Sequence, residues 1–176
     1  MSPDGPIGRF PSLLCRSVGE TEEVGRALAG ALYGGLLVLL SGELGAGKTS
    51  LARALGEALG ARGMKSPTFA IESIHSLPGK NFSLVHADLY RVGDTSASTA
   101  QLEEYVFEGH AVLVEWGERW KDPPSRDRWD VDIRYDAEDA RSISLTGCGL
   151  PALCRLSGAY SGLPDSIIAG GVRGCR

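Results

Sequence analysis

Gly42-Glu43-Leu44-Gly45-Ala46-Gly47-Lys48-Thr49 (GELGAGKT) matches the Walker A pattern GxxxxGK[ST] at every fixed position. It follows the apolar run Leu36-Leu37-Val38-Leu39-Leu40 and precedes a helix-like stretch from Ser50 to Leu59. Glycines at this spacing let a backbone wrap round a phosphate chain with its N–H groups turned inward. Lys48 is then placed to reach terminal phosphates, and the Thr49 hydroxyl to hold a divalent metal. A glycine-rich turn ending by coincidence in Lys-Thr is the plain alternative. The strand–loop–helix context argues against it.

Upstream of this loop, residues 1–16 read as a loose lead-in. Ser17 and Glu20 have capping-box spacing and open a helix expected to run to about Tyr33, with Val24, Ala27, Leu28, Ala31 and Leu32 on one face. Gly34-Gly35 ends it, and Leu36 to Ser41 is expected as a buried strand. Downstream, Leu51, Leu55 and Leu59 recur every four residues in a helix closed by Gly60. Strands are expected at Ala70 to Ile74, Phe82 to His86 and Ala111 to Val114. A loop is expected over Gly93 to Ala100 and a short helix over Gln101 to Phe107. Val131 to Tyr135 and Arg141 to Thr146 read as a hairpin turning across Ala137 to Asp139. The glycine-rich segment 147–176 shows little periodicity and is expected as a weakly ordered tail. The pattern predicts an α/β protein with a three-layer P-loop NTPase fold and a mainly parallel central sheet, confined to residues 17–146.

Composition narrows the function classes. The chain has 176 residues, enough for one domain with a real core, and its 43% hydrophobic and 23% charged residues are ordinary for a globular protein. A net charge of −4 without any Lys/Arg run argues against a broad nucleic-acid surface. The start has no basic flank followed by a long apolar stretch, and no apolar run is long enough to span a bilayer, so a cytoplasmic protein is expected. Cys15, Cys148, Cys154 and Cys175 lack CxxC spacing and read as free thiols rather than a zinc site or disulfide framework.

A phosphate loop needs carboxylates at the ends of neighbouring strands to complete its chemistry. Glu115 closes Ala111-Val112-Leu113-Val114 where a Walker B acid belongs, and Asp88 follows the strand Phe82 to His86. Thr68, after Pro67, is either a switch threonine sensing the terminal phosphate or a turn residue. His86 is either a water-orienting group or a structural histidine, and Trp116 either core or a partner surface. Arg91 and Arg119 are candidate phosphate contacts, and Arg126 with Arg128 a candidate lid, each also readable as surface arginine. No Asn-Lys-x-Asp stretch is present, so adenine is expected over guanine.

Taken in order, GELGAGKT, Lys65-Ser66-Pro67-Thr68-Phe69, His86-Ala87-Asp88-Leu89-Tyr90-Arg91 and Val114-Glu115-Trp116-Gly117-Glu118-Arg119 resemble the TsaE (formerly YjeE) family over roughly Ser17 to Thr146. These are bacterial ATPases needed to make threonylcarbamoyladenosine in tRNA. The resemblance implies a weak, Mg2+-dependent ATPase that assembles with TsaD and TsaB proteins. There TsaD carries out the transfer to the position-37 adenosine, and direct contact of this chain with tRNA stays open. Carried over by motif, Glu43, Leu44, Gly45, Ala46, Gly47, Lys48 and Thr49 would hold the ATP phosphates, with Thr49 and Glu115 at the Mg2+. Asp88 would sit beside triphosphate and metal, Thr68 in the switch-like segment, and Trp116 beside the site. The base would lie between Val18 and Ala140. Ser50 replaces a second threonine common in the family. Asp94-Thr95-Ser96-Ala97-Ser98 lacks the usual acidic, helix-forming residues, which puts a local helix and its partner contact in doubt.

Overall fold

Leu37-Val38-Leu39-Leu40 has no polar face, so a strand made of it must be covered on both sides. That is its position in the structure, a computed structural model that describes residues 5–64, 71–124, 127–136 and 139–168. Strand β3 (Leu37–Gly42) is central, with parallel neighbours β6 (Ala111–Glu115) and β7 (Arg128–Tyr135), and β5 (Ser83–Asp88) continues the parallel set beyond β6. Both margins are antiparallel. Strand β4 (Glu72–Ser76) pairs with β5, and β8 (Arg141–Cys148) pairs with β7. The short strands β1 (Ile7–Arg9) and β2 (Leu13–Cys15) both pair with β8, giving a mixed eight-stranded sheet.

Successive strand residues face opposite ways, and the two cores follow that parity. Val38, Leu40, Leu84 and Leu113 join a cluster with Val24 and Leu28 of α1 (Val18–Ala31) and Leu51 and Leu55 of α2 (Lys48–Ala58). Leu37, Leu39, Val85, Val112 and Val114 face the other way, onto Leu102 of α3 (Ser96–Phe107) and Trp120. Helices therefore cover both faces, as expected of a three-layer α/β protein. Helix α1 begins where its cap predicts: Ser17 Oγ accepts from the Glu20 N–H at 3.1 Å. The reciprocal bond is shifted by one residue, since the Glu20 carboxylate accepts from the Arg16 N–H at 2.6 Å. Gly25 lets α1 lie close against α2, because a Cβ there would come within 2.5 Å of the Leu51 carbonyl oxygen.

The expected mainly parallel central sheet is present in β7, β3, β6 and β5, with antiparallel strands added at its margins, β8 beside β7 and β4 beside β5. Two expectations need correction. The expected loop over Gly93 to Ala100 is a loop only to Thr95, since α3 starts at Ser96. Asp94 Oδ1 accepts from both the Ser96 N–H (3.0 Å) and its hydroxyl (2.7 Å), so this small polar run forms a helix start. Residues 5–16 of the lead-in and 147–168 of the tail also belong to the packed structure. Helix α4 (Leu150–Ser161) has Pro151 in its first turn, where proline is favourable, and buries Ala152 and Leu156. The fully buried Trp129 donates its indole N–H to the Ala152 carbonyl at 2.8 Å, and the Leu14 N–H bonds to the Ile167 carbonyl at 2.6 Å.

Among the described residues, no helix is long and apolar enough to cross a membrane. If α4 is part of the cooperative core, Leu156→Ala costs about 2–4 kcal/mol of unfolding free energy. Urea denaturation followed by circular dichroism measures it, and a change near zero would separate α4 from that core.

Candidate functional site

Strand parity also assembles the chemistry. On β5 and β6, Leu84 and Leu113 point toward α1 and α2, so His86, Asp88 and Glu115 share that side at the carboxyl ends of the strands. Asp88 and Glu115 are direct cross-strand partners, and Leu40 of β3 pairs with Glu115. The glycine loop leaves β3 at this same level. Gly42, Gly45 and Gly47 have φ of 133°, 80° and 117°, and a side chain at Gly42 would also collide with the Ile133 carbonyl. The N-cap of α2 is Gly47, which offers no side chain to the helix terminus. The first intrahelical bond runs from the Leu51 N–H to the Gly47 carbonyl, so the N–H groups preceding it are left for an anion.

Lys48 is 4% exposed. Its Nζ donates to the carbonyls of Gly42 (2.5 Å) and Glu43 (2.8 Å) and lies 3.8 Å from the centre of the Trp116 ring. Burial pulls its pKa down, and the charges of Glu118, Glu115 and Asp88 oppose that shift. Thr49 Oγ1 donates to Glu115 Oε2 at 2.6 Å, and the other carboxylate oxygen, Oε1, lies 2.9 Å from His86 Nε2. Glu115 and His86 are 2% and 1% exposed.

Trp116 takes the left-handed conformation (φ 61°), unusual for a bulky residue, at the start of the 3-10 turn Gly117–Arg119. Its ring stacks on Tyr90 with centroids 4.6 Å apart. A cavity of about 360 Å³ opens between the glycine loop and Asp88, Arg91, Glu115 and Trp116. A larger cavity of about 590 Å³ beside the start of α3 contains none of the loop residues.

The structure brings together Leu44, Gly45, Gly47, Lys48, Thr49, Asp88 and Glu115, with Trp116 and Arg91, around one cavity. Val18 and Ala140 do not line it. Val18 is the half-exposed first residue of α1, and Ala140 is buried beside Arg141, which pairs with Cys15. Thr68 and Arg126 lie outside the described residues. Arg119 is not a free phosphate contact: its guanidinium donates to the carbonyls of Tyr90 (2.7 Å) and Val92 (2.9 Å) and ties the segment after β5 to the 3-10 turn. Arg128 is bound to Asp130 and to the Pro123 and Pro124 carbonyls, which takes it out of a lid. His86 contacts Glu115 directly, a role that the sequence reading did not assign. Tyr135 was missed altogether. Its hydroxyl reaches the Leu44 carbonyl at 3.4 Å, and nothing in a tyrosine at a strand end signals that contact.

The donor set fits a hard divalent cation: a hydroxyl and a carboxylate oxygen already side by side, with Asp88 adjacent. Among the described residues no group of three or more His, Cys, Asp or Glu could hold an ion by itself, so oxygens from outside the protein would have to complete the shell. Gly42→Ala combines a disfavoured φ with a backbone collision. It is expected to cost about 1–3 kcal/mol of stability, read from the urea midpoint, whereas a neutral result would show that the loop tolerates another path.

Comparison with known proteins fits this geometry. The family described as "Threonylcarbamoyl adenosine biosynthesis protein TsaE" matches residues 15–143. The tRNA threonylcarbamoyladenosine biosynthesis protein TsaE of Streptomyces coelicolor is 42% identical over 135 residues, covering 72% of this chain and 90% of that protein. Its counterpart in Bacillus subtilis is 35% identical over 132 residues, covering 74% and 81%. The crystal structure of Bacillus subtilis YdiB superposes with a TM-score of 0.71 at 22% identity, covering 89% of this chain and 97% of that one, a likeness of fold. With the family matched over residues 15–143 and a relative 42% identical over most of its own length, this chain belongs to the TsaE family.

Proposed function

We propose that the chain is a P-loop NTPase that binds ATP with Mg2+, hydrolyses it slowly, and acts with TsaD-like and TsaB-like partners in threonylcarbamoyladenosine modification of tRNA. The observation that carries the ATPase reading is the Thr49–Glu115 pair (2.6 Å) beside a buried lysine, on a loop whose N–H groups lack side-chain caps. The tRNA reading rests on the names of the relatives, and a cytoplasmic site of action goes with it.

The residues divide the work by chemistry. N–H groups of the loop and of the first turn of α2 bind the phosphate chain. Lys48 exchanges its two carbonyl partners for phosphate oxygens, a trade of neutral acceptors for charged ones that favours the bound state. Thr49 and Glu115 would hold Mg2+, which supplies positive charge to the β- and γ-phosphate oxygens when bound. Asp88, the cross-strand partner of Glu115, would act in hydrolysis beside the triphosphate and metal. Trp116 and Tyr90 wall the cavity. Leu44, Tyr90 and Tyr135 remain 69%, 43% and 46% exposed around the loop, an apolar margin suited to a protein that covers the site.

Lys48→Ala is expected to lower ATP turnover by about 100- to 1000-fold. Calorimetry and phosphate release check it, and unchanged affinity and turnover would reject the site. Asp88→Ala should lose hydrolysis while keeping measurable ATP binding. Full turnover in that variant would remove Asp88 from the mechanism. For the cellular role, cells lacking the protein should lose threonylcarbamoyladenosine from tRNA by nucleoside mass analysis, and normal levels would contradict the assignment. Purified partners should accelerate turnover, and no change on adding them would refute partner dependence.

A further inference from the structure

Glu115 has two carboxylate oxygens, and each has its own partner. Oε2 takes the Thr49 hydroxyl at 2.6 Å, and Oε1 lies 2.9 Å from His86 Nε2. A carboxylate oxygen accepts, so Nε2 carries the hydrogen and donates. The other ring nitrogen, Nδ1, has no hydrogen-bond partner among the described residues. His86 is 1% exposed in the middle of β5, held by pairing with Ser73 on one side and Leu113 on the other.

A glutamate side chain ends in a torsion with a broad, weakly restrained profile. Left to itself, the Glu115 carboxylate could turn its oxygens away from Thr49. A rigid imidazole donor on the neighbouring strand removes that freedom. With both side chains out of solvent, water is poorly placed to replace the donor.

We propose that His86 is a positioning residue, whose Nε2–H holds Glu115 Oε1 and so sets Oε2 at Thr49, where the metal of a bound triphosphate would sit. The proposal rests on the Mg-ATP reading above. It makes His86 responsible for the magnesium-dependent part of nucleotide affinity, while phosphate binding by the loop and Lys48 is independent of it. Outer partners of metal-binding carboxylates have effects of this kind, about 10- to 100-fold in metal affinity.

The test compares three variants by calorimetric titration of ATP, in EDTA and in excess Mg2+. His86→Leu removes the donor. His86→Asn keeps an amide but places its donor too close to the backbone to reach Glu115. His86→Gln places the amide nitrogen close to where Nε2 stands. The gain in ATP affinity on adding Mg2+ should fall at least about tenfold in the Leu and Asn variants and stay within about threefold of wild type in the Gln variant. Affinity in EDTA should be unchanged in all three. Should the Leu variant fail to fold, the Asn–Gln pair carries the comparison, with thermal midpoints confirming that both are folded.

A full magnesium gain in the Leu or Asn variant would overturn the proposal. So would a Gln variant as impaired as Asn, or a parallel loss of affinity in EDTA. Wild-type protein that binds no ATP in Mg2+ would refute the underlying reading, a result distinct from variants that match a functional wild type.

Discussion

The hydrogen bond from Thr49 to Glu115 links two elements far apart in sequence: the first turn of α2 and the last residue of β6. It can form only if β6 runs parallel beside β3 in a register that brings Glu115 level with Leu40, so that strand and loop end together. A slip of one residue would turn Glu115 to the opposite face, toward α3, and bury a carboxylate against Leu102 and Trp120. Sheet register and site chemistry are thus the same constraint, and the apolar runs at residues 37–40 of β3 and 111–114 of β6 satisfy it by having helices on both faces.

Several local features oppose stability, and under the proposed function they prepare the site for a ligand. Burial disfavours the charge on Lys48, and two backbone carbonyls and an aromatic face are modest compensation for an ammonium group. Trp116 is held in a left-handed conformation, and Gly42 in one that a side chain would forbid. The strain around Trp116 is restrained by Arg119, which ties the Tyr90 and Val92 carbonyls to the 3-10 turn, and by Gly117, where a Cβ would strike Leu39. A triphosphate would give Lys48 charged partners and fill the N-terminus of α2, relieving the least favourable parts of this arrangement.

How much of this was legible before the structure depended on the length scale of the signal. The strand–loop–helix around GELGAGKT was readable because each glycine there answers a backbone requirement, and the adjacent strand is too apolar to lie at a surface. Glu115 and Asp88 were readable from their place after apolar runs, and parity puts both at the cavity. Strands of three residues at 7–9 and 13–15 are too short to show alternation, so their pairing with β8 left no mark. Helix α4 hides behind Pro151 and Gly158 because only Ala152 and Leu156 need to be buried. The Asp94–Ser96 turn that leads into α3 looks like loop composition because the same side chains serve both purposes. Contacts such as His86 to Glu115 depend on lateral pairing of strands, which no local pattern encodes.

Anomalous diffraction from Mn2+, in crystals grown with a non-hydrolysable ATP analogue, tests the central claim most directly. The account predicts a single metal peak bonded to Thr49 Oγ1 at about 2.0–2.3 Å, with the Glu115 carboxylate facing it and the phosphates inside the Gly42–Thr49 loop. A metal bound elsewhere with Glu115 turned away, or a nucleotide lying outside that loop, would contradict it.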